Sequence, residues 1–164
     1  MKIPTRLCAQ IVTLALASQL SSGLSAAEYD GGVKARLISQ TGVTGNGAKI
    51  RYPALDEPEV SALEVEIAKG AQTGWHRHPV PVYAYVLSGT LQVEMEDGKA
   101  LTFKRGDAIV EVVDAWHNGR NVGCEPVRLA VFYTGGKAVP NVEKSPKDLG
   151  TRLAASALNC PAPE

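Results

Sequence analysis

Residues 70–89 read GAQTGWHRHPVPVYAYVLSG, and the architecture follows from their spacing. His76 and His78 are two positions apart, so in extended chain both rings point to the same side. Pro79 and Pro81 stiffen the connection that follows and hinder register slip, without carrying chemistry themselves. From position 82 the chain alternates. Val82, Ala84 and Val86 share one face, Tyr83, Tyr85 and Leu87 the other, which is the period of a β-strand. Ser88-Gly89-Thr90 turns the chain into the next strand.

Further strands are expected on both sides of this segment. Residues 60–67 alternate Val60, Leu63, Val65 and Ile67 against Ser61, Glu64 and Glu66, and residues 91–95 form the strand after Gly89. Asp97-Gly98 has the composition of a two-residue hairpin turn into Ala100–Lys104. Gly106-Asp107 leads into 108–113, and 126–134 supplies another strand. A weaker pattern at 34–39 suggests one more. Short strands at this spacing, in a chain with 16 Gly and 10 Pro, indicate an all-β sandwich or barrel rather than a helix bundle. The end of the chain differs. Ser145 as N-cap, Pro146 and Asp148, followed by Leu149, Leu153, Ala157 and Leu158 at helical spacing, predict a short C-terminal helix.

The 164 residues suit one ordinary domain with an appendage, and a hydrophobic share of 45% excludes a disordered chain. Seventeen basic and seventeen acidic residues cancel, which argues against a nucleic-acid partner. Residues 1–27 read as a signal peptide: Lys2 and Arg6, an apolar stretch from Leu7 to Leu20, then Ser25-Ala26-Ala27 as a cleavage site. No later apolar run is long enough to cross a bilayer. The expectation is an exported protein, periplasmic or secreted, with no stable membrane insertion after cleavage. Cys8 leaves with that segment, so Cys124 and Cys160 have one intramolecular pairing available, the alternative being two unpaired thiols.

All three histidines of the chain, His76, His78 and His117, fall in one short window. Imidazole suits Zn, Cu, Fe and Ni, and three neutral ligands on one ion leave positions open for water or substrate. The competing reading is two exposed loop histidines and one packing histidine. The surrounding residues separate the two. Gly70, His76, His78, position 82 and Gly89 follow the spacing of the first cupin motif, G-(x)5-H-x-H-(x)3,4-E-(x)6-G. Gly106, His117 and Asn121 follow that of the second, G-(x)5-P-x-G-(x)2-H-(x)3-N. The chain therefore resembles a small single-domain cupin.

That resemblance implies a jelly-roll β-barrel with His76, His78 and His117 as metal ligands at its mouth. It divides the chain into the signal segment, an N-terminal strand and loop segment at 28–59, a cupin core at 60–134 and a tail with the helix at 135–164. It implies a divalent transition metal, iron(II) in preference to Zn, Mn, Ni or Cu, a small-molecule ligand, and pairing into a homodimer. Asn121 is expected to fix a turn, and Trp75 and Trp116 to face away from the ligands beside them. Three departures stand out. Val82 occupies the family glutamate position, which would make Val82, Ala84 and Val86 an apolar pocket floor. Val112 and Asp114 replace the proline and glycine of the second motif and are expected to alter its turn.

The catalytic residues are not identified by sequence. With every histidine assigned to metal and the glutamate gone, no general acid or base is evident, which favours metal-centred oxygenation over proton shuttling. Whether another carboxylate substitutes for that glutamate is left open: Glu94 and Glu111 lie on neighbouring strands, and sequence does not give their facing. A non-catalytic module for a small ligand or metal, and a metal-free structural cupin, are the alternatives.

Overall fold

Strand β1, Pro58–Ile67, forms because Val65 and Ile67 can turn inward while Glu64 and Glu66 stay in water. In the computed structural model, which describes residues 32–146 and Cys160, it pairs along its whole length with β8, Val127–Gly136, from Pro58 opposite Gly136 to Ile67 opposite Val127. The other strands are β2 (His76–Arg77), β3 (Val82–Ser88), β4 (Thr90–Met95), β5 (Ala100–Lys104), β6 (Ala108–Val110), β7 (His117–Asn121) and β9 (Glu143–Lys144). They make two antiparallel sheets, β1-β8-β3-β6 and β5-β4-β7-β2-β9, in the jelly-roll manner. All nine lie in the compact unit 37–164, and the described residues of the preceding unit, 32–36, are exposed.

The inner faces meet in an apolar core that includes Val80, Val82, Val86, Leu91, Ile109, Val127 and Val131. A fully buried valine such as Val86 or Val127, both 0% exposed, contributes roughly 1.5–3 kcal/mol. Gly89 is required at the β3–β4 turn. Its φ is 79°, and a Cβ there would sit 2.8 Å from the Val127 Cα and the Pro126 carbonyl oxygen.

Several expectations need correction. Residues 34–39 form no strand: they have no ladder partner among the described residues, and Leu37 and Ile38 remain exposed. Val60 has the wrong parity to join Val65 and Ile67, and it stands 64% exposed on the outer face; Leu63 has the right parity but is 46% exposed. The hairpin at Asp97-Gly98 is a three-residue loop in which only Gly98 has a positive φ, 84°. Its N–H reaches the Met95 carbonyl at 2.9 Å while the Met95 N–H reaches Lys99 at 2.8 Å, a turn followed by a glycine bulge. The strand expected at 108–113 stops at Val110. Asp114, at the position of the motif glycine, takes φ 53°, the left-handed conformation that glycine adopts most readily. Of the expected C-terminal helix only its start, Ser145 and Pro146, is described, and the positions from Asp148 to Leu158 lie outside the described residues. No helix is present among the described residues.

Candidate metal centre

The centre is assembled on the five-stranded sheet. His76 on β2 and His117 on β7 are opposed in register, and His78 follows two residues after His76. The ring centroids lie 4.3 Å apart for His76 and His117, and 4.9 Å apart for the other two pairs. One ligand nitrogen from each falls within 4.8 Å of the others, a group able to hold a metal ion.

Each ring is oriented by the backbone. His76 Nδ1 donates to the Gly74 carbonyl at 2.8 Å, His78 Nδ1 to Asn141 at 2.9 Å and His117 Nδ1 to Ala115 at 2.9 Å. A carbonyl oxygen can only accept, so the proton of each neutral ring sits on Nδ1 and the lone pair on Nε2. Burial also keeps the rings uncharged. Desolvation lowers His117 to about 3, with the neighbouring His76 and His78 adding to it. It lowers His78 to about 4, against the opposing pull of the Asn141 carbonyl, and lowers His76 as well. His117 Nε2 is buried and has no hydrogen-bond partner. A buried nitrogen lone pair without a donor, beside two more of the same tautomer, fits a cation.

The cavity between these rings, of about 60 Å³, is otherwise lined mainly by apolar side chains from both sheets, Val82, Leu91, Val93 and Val131 among them, together with Tyr133. Its size admits an ion with a few water-sized groups. Of the three residues read as a pocket floor, Val82 lines it, while Ala84 and Val86 are buried in the core away from it. Trp75 is buried, and Trp116 lies under the Arg77 guanidinium at 5.0 Å, so neither lines the cavity. Asn121, 1% exposed, fixes the turn after β7: its amide donates to the Ile67 and Glu125 carbonyls and its oxygen accepts from the Gly123 N–H.

Sequence left the facing of Glu111 open, and the structure turns it toward the histidines. It lines the cavity with Oε2 at 4.0 Å from His117 Nε2, so an ionisable group does stand beside the histidines, contrary to expectation. Burial pushes its carboxyl up to about 7, and the Tyr133 phenol is raised by its own burial and by Glu111. Glu94 is buried too but does not line the cavity, since Val93 takes that side of β4. Asn141 was unforeseen. Its carbonyl, just before β9, reaches back to His78 across 63 positions.

Cys124 and Cys160 are joined by a disulfide with their Cα atoms 5.4 Å apart. Residues 63–133 match the cupin domain family. No curated protein matches the chain. Similar solved structures include a DMSP lyase, at 19% identity and a TM-score of 0.46 over 52% of this chain and 44% of that one. Another is the oxalate decarboxylase of Lactobacillus farciminis in complex with formate, at 24%, a TM-score of 0.46, and 52% and 26% coverage. A Schizosaccharomyces pombe cupin domain is similar at 20%, with a TM-score of 0.45 and 53% and 64% coverage. The chain thus spans under half of the first two. Both motifs, the paired sheets and the family match agree: residues 63–133 of this chain form a cupin domain.

Proposed function

We propose that this chain is an exported cupin that binds a divalent transition metal, iron(II) by preference, through His76, His78 and His117, and that it acts as an oxygenase on a small molecule. One observation carries the reading: backbone carbonyls take up three Nδ1–H groups, which leaves Nε2 unprotonated on three rings whose ligand atoms lie within 4.8 Å of one another. A bound ion of this kind supplies Lewis acidity and, as iron(II), electron transfer to oxygen. The protein's part is to hold neutral rings, exclude bulk water with Val82, Leu91 and Val131, and leave room for a small co-ligand. The Cys124–Cys160 bridge supports an oxidising compartment, hence export.

Elemental analysis of untagged protein exported natively tests the metal, and oxygen uptake with thiols or phenols tests the reaction. About one equivalent of metal is expected, with uptake lost in His117→Ala. Metal without uptake by any substrate favours the non-catalytic binding module, and no metal rejects the reading.

A further inference from the structure

Glu111 follows directly on β6, at the edge of the four-stranded sheet, whereas His76 and His117 belong to the five-stranded sheet. Its N–H donates to the Val82 carbonyl at 3.0 Å, which continues the β3–β6 ladder by one step past Tyr83 and Val110. Val82 and Glu111 are therefore cross-strand neighbours, and both line the histidine cavity. Glu111 is the sole carboxylate among the described residues lining that cavity.

Three neutral imidazoles bring no charge to a divalent cation. Placing two positive charges among valines and leucines is costly unless an anion accompanies them. Geometry allows one. Metal–nitrogen and metal–oxygen bonds of about 2.1 Å put two ligand atoms of a single ion no more than about 4.2 Å apart. Glu111 Oε2 already lies 4.0 Å from His117 Nε2. Its backbone is held by the β3–β6 ladder beside the cavity.

We infer that Glu111 is the anionic fourth ligand of the three-histidine centre, supplied from the opposite sheet, so that the carboxylate missing at Val82 comes from the residue facing it across the β3–β6 ladder. The inference rests on the proposed metal binding. It makes the site a bridge between the two sheets and leaves the ion with a lower net charge than three histidines alone would give.

The test is titration of Mn(II) into the metal-free full chain by calorimetry, comparing wild type with Glu111→Gln, whose side chain has nearly the same shape. The expected result is affinity weakened by at least about tenfold, with the melting temperature of the metal-free form essentially kept. Affinity within twofold of wild type would overturn the role of Glu111 while leaving the three-histidine reading intact. No Mn(II) uptake by wild type would overturn both. Infrared difference spectroscopy of wild type on Mn(II) addition needs no variant to fold. A shifted carboxylate stretch supports the inference, and its absence overturns it.

Discussion

His76 and His117 are direct cross-strand partners, with ring centroids 4.3 Å apart on adjacent strands of one sheet. Ladder register therefore fixes the separation of two ligand candidates, and the third needs only the two-residue period of the extended chain after His76. Two of the three rings are thus built into the hydrogen-bonding of the sheet, and His78 sits just beyond the end of β2.

Replacing His117 by Ala should remove stoichiometric metal and leave a folded barrel. The side chain is 2% exposed, so the substitution opens a void, and a cost to the metal-free protein of up to about 3 kcal/mol is expected. Metal analysis and far-ultraviolet circular dichroism on the same sample check both halves. Undiminished metal content would show that the ion sits elsewhere.

Acid should destabilise the metal-free protein. His78 and His117 fall to about 4 and about 3 in the fold, from an ordinary 6.5. Between those values the unfolded chain holds more protons than the folded one, so stability rises with pH. The contribution is fully present above about pH 6.5 and is lost as pH falls toward 4 and 3. Glu111 acts the other way. Its folded value of about 7 exceeds the ordinary 4.5, so it opposes the trend between those limits. Urea midpoints at pH 7.5 and 5 should fall with acid, and fall further in Glu111→Gln. A flat profile would contradict the buried neutral rings.

Reduction should lower the melting temperature. The Cys124–Cys160 bridge spans a separation of 36 residues, and loop-closure entropy for such a span amounts to on the order of 3–4 kcal/mol. Thermal unfolding with and without a thiol reductant measures it. Coincident curves would show that the bridge does not constrain the unfolded chain.

Asp114→Val should cost about 1–2 kcal/mol or more, because a β-branched residue resists φ near 53°. Asp114→Gly should be close to neutral. The Asp114 N–H donates to the His78 carbonyl at 2.9 Å, so the valine variant is also expected to weaken metal uptake. Equal stability of the two variants would show that this turn does not require the left-handed conformation.

Much of the site was legible in sequence because it depends on short-range spacing. The residues from His76 to Gly89 carry strand period, turn glycine and paired imidazoles within one stretch, and the second motif repeats the logic around His117. Glu111 was not legible. Positions 108–113 are apolar on both parities apart from Glu111 itself, so alternation gives no facing, and its neighbour Val82 lies far away in the chain. Strand β7 was also hidden. His117-Asn118-Gly119-Arg120-Asn121 has no hydrophobic signal, yet four of its five residues are buried, because the ladder to β4 and side-chain bonds such as Asn118 Nδ2 to Gln72 Oε1 take up polar groups other than His117 Nε2. The pattern at 34–39 misled for the opposite reason: apolar residues suggest a strand, but only a partner can make one.

The bond from His78 to the Asn141 carbonyl bears on how far the working unit extends. A fragment trimmed at the end of the cupin core, at Thr134, would retain all three imidazoles and most of the barrel. It would lose the acceptor that sets the His78 tautomer, along with the Glu143 carboxylate that holds Arg77 at 2.8 Å. The smallest piece with a competent site must therefore continue through β9, some ten residues past the point where the family signature falls silent.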